Sequence, residues 1–159
     1  NQLLDALKKI DYAPRQHFWS YPAPAPMLKA PEANNALSMT IFEDHPPFTN
    51  NPVAAQFVKI YRERATRANM PDTSVETQAG ASFAAWQVLE AAVNGTKSLD
   101  DKTLSAWLRA NPVDSIEGRL RFNGRGNYGD DLMRVKQVQD GKWVTVWPKE
   151  WAAPGVRLR

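Results

Sequence analysis

Leu132-Met133-Arg134-Val135-Lys136-Gln137-Val138-Gln139-Asp140-Gly141-Lys142-Trp143-Val144-Thr145-Val146-Trp147 is a pair of alternating segments around Asp140-Gly141. A two-residue Asp-Gly connection between such segments is the strongest short-range hairpin signal, because a type I′ turn needs positive φ at both central positions. The spacing predicts strands over Leu132–Gln139 and Lys142–Trp147. Trp143, Thr145 and Trp147 then share one face, with Val144 and Val146 on the other. Pro148 ends the second strand, and the tail to Arg159 reads as irregular.

Upstream of the hairpin the period changes to that of helices and short strands. Leu3, Leu4, Leu7 and Ile10 predict a helix over Leu3–Ile10, broken by Tyr12-Ala13-Pro14. Gln16–Ser20 (QHFWS) suits a buried strand. Tyr21–Pro31 carries four prolines, whose missing amide donors leave a loop, read either as a stiff connector or as a loop held rigid beside a ligand. Ala36–Phe42 is a second strand, ended by Pro46-Pro47. Asn50 or Asn51 caps the next helix, with Pro52 in its first turn and a stripe of Val53, Phe57, Val58 and Tyr61.

Met70-Pro71-Asp72 is a turn, and a long helix follows from about Ser74 to Val93. Its apolar positions Ala81, Ala84, Ala85, Val88, Leu89 and Ala92 keep the helical rhythm. Gly80, Ala81, Ala84 and Ala85 make one region small enough for close packing. Asn94-Gly95 is its expected stop. Ser98-Leu99-Asp100-Asp101 resembles a capping box opening a helix to about Ala110, with Leu104, Trp107 and Leu108 inward. Asn111-Pro112 closes it, and Arg119–Phe122 reads as a short strand.

Composition narrows the function. The 159 residues suffice for about one ordinary domain. Lys plus Arg number 20 against 17 Asp plus Glu, a net charge of +3. The densest basic run, Arg62, Arg64 and Arg67, is interrupted by Glu63 and reads as a solvated helix face, so no nucleic-acid partner is expected. With no cysteine, disulfides and thiolate chemistry are excluded. No apolar run approaches the roughly 20 residues that span a bilayer, and no signal-peptide pattern is visible. Asn1-Gln2-Leu3-Leu4 already reads as helix, which raises the expectation that the chain begins inside a larger fold.

Chemical motifs are few. Gly124–Gly129 (GRGNYG) matches GxGxxG by letter, but a dinucleotide loop must open a helix. Here Asp130-Asp131 and a strand follow, so we read a glycine turn, and an oxidoreductase would need a helix beginning at Gly126. His17 and His45 stand far apart, without a second ligand at metal spacing. Glu43 and Asp44 are neighbours and so point in different directions, which is unsuited to an acid/base pair. No cofactor, metal site or catalytic residue is expected. Phe18, Trp19 and Tyr21 crowd the strand end before the proline loop, and strand ends beside loops are where open α/β folds place ligands.

The order of segments resembles a family. Gly118–Asn127 (GRLRFNGRGN) is similar to its "G-x-[IL]-x-F-D-x-x-G-[DN]" segment, and Val138–Pro148 to its "Q-x-x-[DN]-G-K-x-x-x-V-x-P" ending. Phe57–Arg62 resembles "F-V-x-x-Y-[KR]", and Phe83–Leu89 its "Y-[DA]-A-x-x-x-L" helix. Ser98–Leu108 resembles its "lD-x-x-x-[IVL]-x-x-A-L" helix, and Leu3–Pro14 its first helix and turn, with Asp11 where Gly is usual. These are the type I periplasmic solute-binding proteins of branched-chain amino-acid ABC transporters, and the match is to their C-terminal half.

The resemblance implies an α/β fold: the C-terminal part of a two-lobed protein with Rossmann-like lobes and a C-terminal β-hairpin. It implies that 1–48 form the end of lobe 2 and a crossing. Residues 49–122 are then lobe 1 helices and a return strand, and 123–159 the hairpin and tail returning to lobe 2. It implies a non-enzyme in the periplasm that binds a small solute between lobes closing by hinge motion. Its partners would be that solute, an ABC transporter permease and the missing N-terminal portion of the same protein. Carried over by position, the ligand-binding residues are Trp19, Ser20, Tyr21 and Gln78. The acidic residue that often grips an α-amino group has no counterpart near the first loop, where Tyr21-Pro22 stands. That moves the expected ligand from an aliphatic amino acid towards an aromatic or other carboxylate, on which Trp19 and Tyr21 could stack. The alternative is a ligand-sensing receptor domain of the same fold, which a transmembrane or signalling segment elsewhere in the protein would favour.

Overall fold

The computed structural model describes residues 2–20, 28, 30–124 and 132–159. Among them, helix α1 (Gln2–Lys9) leads to strand β1 (Phe18–Trp19) and strand β2 (Leu37–Thr40). Helices α2 (Pro52–Arg67), α3 (Thr77–Thr96) and α4 (Asp101–Ala110) follow. A small ribbon, β3 (Val113–Ser115) and β4 (Gly118–Leu120), precedes the hairpin of β5 (Arg134–Gln139) and β6 (Lys142–Trp147).

The hairpin forms as the Asp-Gly signal requires. Asp140 and Gly141 have φ of 54° and 74°, and Gln139 pairs with Lys142. One irregularity was not expected: the register shifts at Val135/Lys136, so Thr145 opposes Lys136 while Trp147 opposes Val135. The extra β6 residue interrupts the alternation, which leaves Trp147 57% exposed and Thr145 fully buried. The sheet order is β1-β2-β5-β6, with β1 parallel to β2 and the other pairs antiparallel.

Element boundaries moved where side chains captured backbone amides. The Ser74 amide donates to Asp72 Oδ1 and the Val75 amide to Asp44 Oδ2, so α3 starts at Thr77, three residues later than expected. It also runs past Asn94-Gly95 and stops at Lys97, whose φ is 54°. Gly95 stays helical because the Trp107 indole packs on it; a Cβ there would lie 2.5 Å from the ring. Asp100, not Ser98, caps α4, its Oδ2 accepting from the Thr103 amide at 2.8 Å. Asn51 caps α2 through bonds from the Val53 and Ala54 amides. Asp11, at the position where the resembled family has Gly, has φ 52°.

Two cores result. Phe42, Phe48, Ala54, Val58, Val75, Ala84 and Ile116 pack among the helices and the end of β2. Leu4, Ala33, Ala36 and Val138 pack where α1 meets the sheet, joined by Trp19 and Trp143. The buried stripe of α2 is Ala54, Val58 and Ala65; of the expected stripe, Val53 is exposed and Phe57 and Tyr61 are half-buried beside an open groove. The β3–β4 ribbon has no counterpart in the sequence reading upstream of Arg119, because three residues are too few to show alternation.

Candidate functional site

Parallel pairing points the C-terminal ends of β1 and β2 the same way. The chain leaves β2 through Ile41–His45 on its way to α2, and the first turn of α3 docks beside it. Gly80 makes that docking possible, since a Cβ there would sit 2.7 Å from the Phe42 side chain. The Thr40 hydroxyl donates to Glu43 Oε1 at 2.7 Å and lies 2.7 Å from the Thr77 hydroxyl. Thr77 in turn donates to the Phe42 carbonyl at 3.2 Å.

β5 then supplies a buried cation. Lys136 Nζ donates to Glu43 Oε1 at 2.7 Å, and the two side chains are 3% and 9% exposed. The ammonium also lies 5.0 Å from the centre of the Trp143 ring. Asp44, the neighbour of Glu43, has different partners: it accepts from Arg62 at 2.6 Å and from the Val75 amide at 3.1 Å. A cavity of about 560 Å³ opens here, with Glu43, His45, Val75, Lys136, Trp143 and Val144 among its walls. It gathers residues from the β2–α2 connection, the approach to α3 and the hairpin. Among the described residues, three buried polar atoms on these elements have no hydrogen-bond partner: His45 Nε2, Trp143 Nε1 and Thr145 Oγ1.

A second polar cluster fixes the strand crossings. Arg134 is 1% exposed and donates to the carbonyls of Ile41, Leu132 and Glu117, while its guanidinium lies 3.8 Å from the Trp151 ring centre. One side chain thus ties the end of β2 to the chain entering β4 and β5. Beside it, burial raises the Glu117 carboxyl to about 7, and attraction to Arg134 offsets only part of that shift.

Of the residues expected to bind ligand, Trp19 is half-buried against the α1 core, and its indole N–H donates to His17 Nδ1. Ser20 is exposed at the end of β1, and Gln78 is exposed in the first turn of α3. Tyr21 lies outside the described residues, as do five positions of the GxGxxG match, Arg125 to Gly129, which include Gly126, where an oxidoreductase would need a helix. Trp19, Ser20 and Gln78 are not among the cavity-lining residues, although Trp19 shares its core with Trp143 and Leu28. Glu43, His45, Lys136 and Trp143 were missed as a group. The signal was present: strand alternation sets Lys136 and Val138 on one face, and a lysine on a core-facing position demands a partner.

Among the described residues, no group of three or more His, Cys, Asp or Glu side chains could hold a metal ion, and no helix is long and apolar enough to cross a membrane. No curated protein sequence matches this chain. Solved structures do. A leucine-binding protein from Thermotoga maritima is 17% identical with a TM-score of 0.67, over 90% of this chain and 39% of its own. An ABC transporter substrate-binding protein from Desulfitobacterium hafniense, in complex with Leu, is 20% identical with a TM-score of 0.61, over 91% of this chain and 39% of its own. A solute-binding protein of an ABC transporter from R. palustris, in complex with benzoate, is 15% identical with a TM-score of 0.59, over 99% of this chain and 48% of its own. The fold is therefore that of type I periplasmic binding proteins, and the chain spans less than half the length of these structures. The periplasmic binding protein family itself matches residues 1–142, so the chain belongs to that family.

Proposed function

We propose that this chain is part of the substrate-binding component of an ABC uptake transporter in the periplasm. It holds a small solute between two lobes and presents it to a membrane permease. The solute is an amino acid or an aromatic or other carboxylate, the kinds of ligand carried by the leucine-bound and benzoate-bound structures that share its fold. Residues 1–48 and 123–159 serve lobe 2 and residues 49–122 lobe 1, with the crossings at the junction cavity.

The observation that supports this reading is the meeting of the connection after β2, the approach to α3 and the hairpin on one cavity. Ligands of open α/β folds sit outside the carboxyl ends of strands. By their position in the resembled family, Trp19, Ser20, Tyr21 and Gln78 are the ligand contacts of this reading.

Half of the cleft would come from the remaining length that the related structures possess. The 159 residues alone should therefore bind weakly. A thermal-shift screen of amino acids and aromatic acids should raise the unfolding temperature of the two-lobed protein by several degrees for one chemical class. The isolated chain should shift little with the same ligands. Equal, tight binding by both would contradict the two-lobed site.

A further inference from the structure

His17 sits between two partners that fix where its ring carries a proton. Its Nε2 lies 3.2 Å from the Glu32 carbonyl oxygen, and its Nδ1 meets the indole N–H of Trp19. A carbonyl oxygen only accepts and an indole N–H only donates. Nε2 therefore carries the hydrogen and Nδ1 the lone pair, which is one tautomer of the neutral ring. The two rings stand edge to face, with centres 5.5 Å apart and planes at 72°. The backbone around them is held by β2. The Leu37 amide donates to the His17 carbonyl at 2.8 Å, and the Ser38 hydroxyl to the Trp19 carbonyl at 2.9 Å.

A second proton breaks this arrangement on one side only. An imidazolium has an N–H at both nitrogens. The bond to the Glu32 carbonyl survives and gains from the charge. At Nδ1, however, a donor then faces the indole donor. His17 stays where Glu32 holds it, and Trp19 has to turn away. Both rings are half-buried, so water reaches them and the proton arrives without the fold opening. Among the described residues, the charged groups sharing a surface pocket with the ring are Lys8, Asp11, Arg15 and Glu32, two of each sign, with Tyr12 the remaining titratable one. Lys8 pairs with the Glu32 carboxylate at 3.1 Å. Histidine is the side chain that changes charge between about pH 5 and 8.

We propose that His17 is a positioning residue for the solute site: neutral, it holds the Trp19 indole in place at the end of β1, and protonated, it releases that ring, so that solute affinity falls on acidification. The proposal rests on the solute-binding reading above, which makes Trp19 and Ser20 ligand contacts, and it adds a control over the first of them. His17 itself touches no solute; it acts through the one hydrogen bond that its second proton removes. Losing a bond of that kind corresponds to an affinity change of about three- to tenfold.

Calorimetric titration of the two-lobed protein with L-leucine, L-phenylalanine and benzoate, at about pH 7.5 and about pH 5.5, tests this. The probe that binds should do so about three- to tenfold more weakly at the lower pH. In NMR spectra the Trp19 indole N–H signal, identified by its loss in Trp19→Phe, should shift with the same midpoint as the His17 ring protons. His17→Asn sets an oxygen acceptor near the place of Nδ1 and does not titrate. His17→Gln sets its amide near the place of Nε2, which keeps the Glu32 contact and drops the Trp19 one. Each variant should lose the part of the pH dependence that His17 supplies, and the Asn variant should bind more tightly than the Gln variant. Glu117 titrates equally in all three proteins, so the comparison cancels it. Equal affinities of the unaltered protein at both pH values, or a pH dependence that His17→Asn leaves intact, would overturn the proposal while solute binding stands. If the variants do not fold, a Trp19 signal that ignores the His17 titration overturns it. Silence of all three probes at both pH values overturns it too, and silence in the broader thermal screen sinks the solute-binding reading with it.

Discussion

Lys136 is the residue on which most of the local energetics turn. Among the described residues its charge is paired with Glu43, with the Trp143 face adding a weaker attraction. Removing one member of such a pair strands the other, which typically costs about 3–5 kcal/mol, whereas removing both can be nearly neutral. Lys136→Met should therefore destabilise by roughly 3 kcal/mol in denaturant unfolding, and adding Glu43→Gln should restore most of the loss. Additive losses in the double variant would mean that the pair is not coupled as the 2.7 Å contact implies.

Glu117 sets a pH dependence of the opposite sense to an ordinary ion-paired carboxylate. Its carboxyl is raised from the usual 4.5 to about 7 by burial. Between those values the folded state keeps a proton that the unfolded chain has released. The stability this contributes is fully present below about pH 4.5, declines as pH rises, and is gone above about pH 7. The effect should be of the order of 1 kcal/mol once residual solvation is allowed for. Glu117→Gln should flatten that segment of a stability–pH curve; an unchanged slope in the variant would assign it to another group.

The elements show how far sequence reaches. Asp140-Gly141 dictates its turn chemically, so the β5–β6 hairpin was legible to within two residues. The helices were legible in type, and their ends were not. α3 begins late because Asp44 and Asp72, one of them from a distant connection, hold the amides that would have opened it. α3 ends late because Trp107 of the next helix fills the space over Gly95. Both are tertiary contacts that a linear pattern does not contain. The small face of α3 was legible, and Gly80 gives it a consequence. A methyl at that position would meet the Phe42 side chain at 2.7 Å, where neither the helix nor the strand end can yield cheaply. Gly80→Ala should cost about 1–3 kcal/mol by overpacking, read as a lower unfolding temperature. A neutral outcome would show that α3 is free to lift off β2. The junction cavity was the least legible feature. Glu43, His45, Lys136 and Trp143, among its polar residues, lie on a connection and a hairpin that only the folded chain brings together.

At the scale of the whole molecule, the chain carries a family match over residues 1–142 and covers 39–48% of the related structures. Several large apolar side chains stand exposed on its helices, among them Trp86 at 70% and Leu89 at 41%. A solitary exposed Leu is ordinary, but a Trp and a Leu on successive turns of one helix are what an interface leaves bare. This fits a chain whose lobes are completed by further length, and it is the reason weak binding is expected of the 159 residues alone. The most direct measurement is calorimetric titration of one panel of amino acids and aromatic acids into the isolated chain and into the two-lobed protein. The account predicts saturable one-to-one binding of a single chemical class by the two-lobed protein, and an affinity at least a hundredfold weaker for the isolated chain. Equal affinities in both, or binding of no small solute by the two-lobed protein, would contradict it.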